Sequence, residues 1–291
     1  MLNALKQKLE RNKLLAFTIA GIYYLLVVFP HEWVGKKVEK YLDIPLGRDN
    51  YNLLILLLSV LLILTVGAYS VKGLGQLPDK TRKFLLWLFT LLLACLIAAF
   101  NTIIVINIEL IHVVQYAVMA LLLFPILNNF RETLFWTTVL GVCDELYQYL
   151  VIAADKANYY DFNDVVINLL GASLGLLILR SRDVKAHVNY TKWIDSPASL
   201  AMLFGSVFLI TGLLTGWISI WPSDSEEEGF VLFEFVKQKE SGFWTSLPPN
   251  VKFHVMRPVE GFITVLILFN VFKNIGYKFA TDEEKKNLNH G

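Results

Sequence analysis

The sequence predicts an all-α fold, a polytopic transmembrane helical bundle of about eight spans with both termini on the cytoplasmic side and one larger external loop. Two observations predict the class. Of the 291 residues, 55% are hydrophobic and mean hydropathy is +0.52. Those apolar residues are strung into runs of membrane length, which a soluble domain does not do. A third observation orients the chain. If the N-terminus is inside, segments 1–13, 72–83, 128–132, 180–198 and 273–291 lie on the cytoplasmic face and hold 17 of the 26 basic residues.

Taken in order, the first span is expected over Leu14–Phe29, behind the basic lead MLNALKQKLERNK. No small-x-small cleavage site follows it, so it reads as a retained span, not a cleaved signal. The others are expected over Tyr51–Val71, Phe84–Phe100, Ile108–Leu127, Thr133–Ile152, Asp164–Leu179, Ser199–Trp221 and Val259–Phe272, each bounded by charge, Pro or Gly. No broken helix shows in these runs. Two external loops have content. Pro30–Asn50 is expected to hold a short helix over Glu32–Leu42. Pro222–Pro258 opens on an acidic turn, Ser223–Glu228, and is aromatic enough to form a strand pair or an interfacial segment. This divides the chain into an N-terminal helix pair (1–83), a four-helix core (84–182), and a C-terminal hairpin (183–291) carrying the loop at 222–258.

Net charge is +1, which gives no field for nucleic acid. Cys95 and Cys143 fall inside apolar runs and read as small buried hydrophobes, not as a disulfide or metal pair. No Gly-rich phosphate loop, CxxC pair or HExxH helix is present, and the residues name no cofactor.

The informative residues lie between Glu109 and Gly175. One span carries Glu109, His112, Gln115 and Tyr116; the next carries Asp144, Glu145 and Gln148; Asp161, Asp164 and Asn168 lead into a third. An ionisable side chain at a bilayer centre costs roughly 2.5–3.5 kcal/mol even on the mild insertion scale. Three consecutive helices carrying such groups are therefore expected to turn them toward one another or toward water. At 100° per residue, Glu109, His112 and Tyr116 share an arc of about 60°, and Asp144, Glu145 and Gln148 one of about 100°. Asp161, Asp164, Asn168, Gly171 and Gly175 form a stripe about 80° wide, whose Gly-x-x-x-Gly section suits close helix packing. In the expected topology all three sets meet in the outer half of the membrane. The plainer readings are an N-cap for Asp161 with Asp164 in the first turn, hydrogen-bonding glue between helices for Gln115 and Gln148, and packing for Tyr147. The His112–Glu145 pair is harder to dismiss, because a mid-helix Asp-Glu pair needs a partner and His112 is the nearest basic candidate. These two are the candidate catalytic residues; no metal is assigned.

In order and spacing these motifs resemble the VanZ-like family of membrane proteins: a Glu-x-x-His-x-x-x-Tyr helix (Glu109, His112, Tyr116), then Asp-Glu-x-x-Gln (Asp144, Glu145, Gln148), then Asp-x-x-Asp-x-x-x-Asn-x-x-Gly (Asp161, Asp164, Asn168, Gly171). The resemblance covers about Phe84 to Leu179. Where that family commonly has Pro-x-Arg or Pro-Gly-Arg, this chain has Asn158, with Lys156 nearby; either Lys156 substitutes for that Arg or the contact is absent. The resemblance implies a multi-pass protein of the bacterial cytoplasmic membrane and cell envelope. The family's named member is associated with resistance to glycopeptide antibiotics of the teicoplanin type.

Three functions fit these residues. The first is a binding protein whose outward-facing crevice takes an envelope lipid, a cell-wall precursor or a glycopeptide-type amphiphile, with membrane lipids as its other partners. The second is an intramembrane enzyme acting on an envelope lipid, since helix bundles use such carboxylate and imidazole sets for metals and acid–base chemistry. The third is a proton-coupled transporter, which polar residues lining the inner half would have supported.

Overall fold

A computed structural model describes residues 9–104, 107–154, 157–182, 196–221, 231–237, 243–247 and 251–277. Lys156, the acidic turn Ser223–Glu228, much of the 222–258 loop, and the basic residues Lys6, Lys8, Lys185, Lys192, Lys278, Lys285 and Lys286 lie outside them. The described chain is overwhelmingly helical.

Helix α1 (Lys13–Val28) is capped by the Asn12 side chain, which accepts from the Leu15 N–H at 3.0 Å. At Pro30 the chain breaks, and α2 (His31–Val38) follows and runs on through a π-helical turn (Glu39–Asp43) to Ile44–Leu46. The helix expected over Glu32–Leu42 is thus longer than its apolar pattern indicated. It also meets α1 at a bend of 56°, a break the apolar runs do not show. Proline has no N–H to continue the ladder, which is why the chain can turn there. Gly47, at φ +75°, ends this segment and starts α3 (Arg48–Leu74). Pro78 then precedes α4 (Asp79–Thr102).

A 3-10 turn (Asn107–Leu110) leads into α5 (Ile111–Leu127). Two asparagines make the tight return to α6 (Phe130–Tyr147). Asn128 takes the left-handed conformation at φ +50°, which asparagine tolerates. The Asn129 side chain caps α6 by accepting from the N–H groups of Arg131 and Glu132. A π-helical turn (Gln148–Ile152) extends α6, and α7 (Phe162–Arg182), α8 (Pro197–Thr215) and α9 (Pro258–Phe272) complete the helices. Between α8 and α9, β1 (Ile218–Ser219) pairs in parallel with β2 (Phe233–Glu234), and β3 (Thr245–Leu247) pairs antiparallel with β4 (Val251–Phe253). The loop therefore contains the strand pair its composition predicts.

Among the described residues, six helical segments are long and apolar enough to cross a membrane: α3, α4, Ile108–Leu127, α7, α8 and Pro258–Gly276; α1 taken together with the bent segment that follows it would make a seventh. This is the build of a multi-pass membrane protein. Two of the eight expected spans fall outside that set. Helix α1 has 16 residues, and α6 carries Arg131, Glu132, Asp144 and Glu145. The physical reason for the second is packing: Glu132, Asp144 and Glu145 are all buried against protein, so α6 has no need of uniform apolarity.

Helix α7 is the axis of the bundle. It is buried almost along its length and touches α3, α4, α5, α6 and α9. Lipid tails are as apolar as leucine, so close backbone approach, not apolar burial, must hold such helices together. Gly171 and Gly175 supply it. A Cβ at Gly171 would lie 2.5 Å from the Val113 carbonyl oxygen on α5, and one at Gly175 would lie 2.3 Å from that of Ala117. The Gly-x-x-x-Gly stripe is the α5–α7 seam. The cysteines correct an expectation: both are free, but Cys95 is only partly buried and Cys143 is exposed. Position in an apolar run does not specify which side faces protein in a membrane helix.

Candidate functional site

The α5–α7 seam sets the geometry of the polar cluster. His112 is in the first turn of α5, immediately before Val113, so the close approach at Gly171 carries its imidazole onto α7. There His112 Nδ1 lies 3.1 Å from Asn168 Oδ1, and both residues are fully buried. One turn further along α5, the Tyr116 hydroxyl donates to Asp144 Oδ2 on α6 at 2.9 Å. Gly141 makes room for this, since a Cβ there would press on Asn168 and Tyr116. Gln148 Nε2 donates to Asp144 Oδ1 at 3.2 Å and to Glu145 Oε1 at 3.3 Å. Gln148 is therefore a clamp on its own helix, not the interhelical glue its position indicated; residues three and four apart share a helix face, so it reaches both carboxylates.

Asp161 does act as the cap of α7. Its Oδ1 accepts from the N–H groups of Asn163 and Asp164 at 2.9 and 3.3 Å. Burial, and next the Asp164 carboxylate, raise the Asp161 carboxyl to about 7, against the pull of those same backbone donors. Asp164 reaches back to the imidazole, with Oδ2 3.8 Å from His112 Nε2. His112, Glu145 and Asp164 each place one ligand-type atom within 4.8 Å of the others. Three helices thus converge on one point, as their sequence motifs required. Asp144, Glu145, His112 and Asn168 form the floor; Gln148, Asp161 and Asp164 are half-buried above it. Among the described residues, no Lys or Arg pairs with Asp144, Glu145, Asp161 or Asp164.

Two further candidates lie on α5 or just ahead of it. Glu109 is half-buried in the 3-10 turn ahead of α5. Gln115 Oε1 is buried without a hydrogen-bond partner, while the Gln115 backbone carbonyl accepts from the Tyr23 hydroxyl at 3.1 Å. That carbonyl points to a contribution the sequence reading missed. Helix α1 packs on α5 and α6 through Tyr23 and Tyr24, the latter donating to the Leu140 carbonyl at 3.0 Å. A Tyr-Tyr pair inside an apolar run was the available signal, because a phenol in lipid needs an acceptor. Tyr147 is a packing aromatic, edge-on to Phe29 at 5.3 Å.

A second missed residue is Asn163, buried beside the cap. Its Nδ2 donates to the carbonyls of Ile103 and His254, and its Oδ1 accepts from the Met256 N–H. It staples the head of α7 to the end of α4 and to the segment after β4. Nearby, Tyr160, Phe162, Phe233, Phe235 and Phe262 pack ring against ring, so the 231–237 segment lies over the same end of α7.

The cluster can do three things chemically. It can donate and accept hydrogen bonds to a polar headgroup, hold a cation between acceptors, or pass a proton among carboxylates and an imidazole. Comparison with protein-family models, curated proteins and solved structures found no match to the chain.

Proposed function

We propose that the chain is a VanZ-like integral membrane protein of the bacterial cell envelope, with eight spans and both termini in the cytoplasm, whose polar crevice opens to the outer face and binds the head of an amphiphile. The amphiphile is an envelope lipid, a cell-wall precursor or a glycopeptide-type compound. The observation that carries this reading is the convergence of seven polar side chains (His112, Tyr116, Asp144, Glu145, Gln148, Asp164 and Asn168) at one end of the bundle. Polar residues this deep in a membrane protein are costly and mark function. A second feature supports an amphiphile in particular. Helices α3 and α4 and the near face of α5 enclose an apolar groove of about 420 Å³, lined by residues including Leu56, Ile63, Leu86, Phe100 and Val113. Val113, which lines the groove, directly follows His112 in the chain.

The test is binding by the full-length protein in lipid nanodiscs, using a fluorescent lipid-linked cell-wall precursor and a teicoplanin-type glycopeptide as probes. Hydrogen bonds to charged groups contribute about 1.5–3 kcal/mol. At 1.4 kcal/mol per tenfold, Glu145→Gln should weaken binding about 10- to 150-fold. Equal binding by wild type and Glu145→Gln would refute the reading. Orientation is tested separately, by labelling Trp244→Cys in whole cells with a membrane-impermeant maleimide: labelling is expected from outside. A specific observation also favours the enzyme reading, namely the His112–Glu145–Asp164 group; turnover of the bound lipid, blocked in His112→Gln, would support it.

A further inference from the structure

We infer that His112, Glu145 and Asp164 hold one divalent transition-metal ion, of the Zn²⁺ or Mn²⁺ type, at the floor of the crevice.

The ligand set is right in kind. One imidazole nitrogen and two carboxylate oxygens, on three different helices, leave coordination positions open for water or a headgroup oxygen. It is right in scale too. Two ligands about 2.1 Å from one ion at the tetrahedral angle lie about 3.4 Å apart. Here His112 Nε2 and Asp164 Oδ2 are 3.8 Å apart, and all three atoms fall within 4.8 Å.

Two further observations concern the groups around the ligands. The first is the partner of the other imidazole nitrogen. His112 Nδ1 faces Asn168 Oδ1, an acceptor, so the proton sits on Nδ1 and the Nε2 lone pair points toward Asp164. A buried second-sphere oxygen that fixes the tautomer in this way is the usual support of a metal-binding histidine. The imidazole lone pair and the two carboxyl groups then face one another, as the ligands of one ion would. The second is Asn168 itself. It is fully buried, lies against Gly141, and its Nδ2 faces the Glu145 carboxylate without completing a hydrogen bond to it. A buried donor left short of a full bond has capacity for a further acceptor oxygen, such as metal-bound water or a ligand oxygen.

The ion also resolves an electrostatic conflict in the proposed function, on which this last step rests. Envelope-lipid heads are anionic phosphates, whereas the crevice holds four carboxylates and one imidazole. A bound divalent cation inverts the local field and gives a phosphate oxygen a coordination site. The half-buried Asp164 marks the side from which that oxygen would arrive.

The experiment uses tag-free full-length protein, stripped with chelator and reloaded with Zn²⁺ or Mn²⁺ alone, with metal counted after gel filtration. Wild type should retain about one equivalent, as a preformed site does. Glu145→Gln and His112→Gln should retain none, and Asn168→Ala should bind about 10- to 100-fold more weakly. His254→Gln, in a separate His–Glu pair, should retain the full equivalent. Should the buried variants fail to fold, electron spin-echo spectra of Mn²⁺-loaded wild type must show one coordinated imidazole nitrogen. No metal in wild type, metal retained by both ligand variants, or a spectrum without nitrogen would overturn the inference. The amphiphile assay run with and without chelator separates the two proposals. Binding that survives in chelator with no metal present leaves the crevice reading standing alone. Metal without amphiphile binding leaves the metal site alone.

Discussion

Replacing Gly171 with alanine tests the seam on which the whole site depends. The added Cβ would start 2.5 Å from the Val113 carbonyl oxygen and within 2.8 and 3.0 Å of its Cα and carbonyl carbon. Ordinary contact begins at 3.4 Å, and the obstacle is backbone, which cannot rotate away. Helix α5 must therefore move off α7 by about 0.9 Å, with overpacking costing about 1–3 kcal/mol. His112 is one residue from the point of contact. The same displacement stretches the His112–Asn168 distance from 3.1 Å to about 4 Å, beyond hydrogen-bonding range. Two readouts should then change together: the midpoint of unfolding in rising SDS mole fraction should fall, and Zn²⁺ retention should drop at least about 10-fold. Gly205→Ala on α8 is the control, because nothing lies within 4 Å of its added Cβ; it should be neutral or raise stability by up to about 1 kcal/mol through helix propensity. If Gly171→Ala unfolds and binds like wild type, α5 and α7 do not meet as described and the site falls with the seam.

Other perturbations separate the supporting contacts. Tyr116→Phe removes the donor to the buried Asp144 and should cost about 1.5–3 kcal/mol in the same unfolding assay, more than Tyr23→Phe, whose acceptor is a neutral carbonyl. Asn163→Leu removes three hydrogen bonds at about 1 kcal/mol each; it should free the 251–257 segment and speed its limited proteolysis. At the opposite end of α6, Glu132 accepts from the Ser196 hydroxyl, the Ala198 N–H and the Trp136 indole. Glu132→Gln should loosen the start of α8 and shift Trp136 fluorescence, at a cost of about 1–3 kcal/mol.

The site was more legible in the sequence than its supports were. His112, Tyr116, Asp144, Glu145, Asp164 and Asn168 stood out because polar residues in apolar runs are conspicuous, and helical spacing places them on the meeting faces. The glycine stripe was legible for the same reason, as small residues at four-residue spacing. Gln115 shows the limit. It is polar and on the same helix as His112 and Tyr116 but lies about 60° outside their shared arc, and its side-chain oxygen is buried without a hydrogen-bond partner; spacing sets it beside the cluster without saying what it meets. Asn163 was illegible because its partners are the backbone carbonyls of Ile103 and His254 and the N–H of Met256, which carry no side-chain signature. Tyr23 and Tyr24 bond to carbonyls too. Helix α6 shows the converse. Its charges make it a poor span by composition, and only its burial against α5, α7 and the start of α8 explains why they are tolerated. The bend at Pro30 is set by how α1 meets α2, which hydropathy does not encode.

The groove between α3 and α4 has a consequence for how any tailed ligand arrives. Helix α3 buries residues near its two ends, Tyr51 at one and Ser70, Gly73 and Leu74 at the other, and leaves Leu53 to Leu64 largely open. It is fastened at both ends with a window in between. A hydrocarbon tail entering there comes sideways from the bilayer and never meets bulk water, so occupancy follows the ligand's mole fraction in the membrane. Affinities measured against total aqueous concentration will drift with the amount of lipid in the assay, while those expressed per lipid will hold constant.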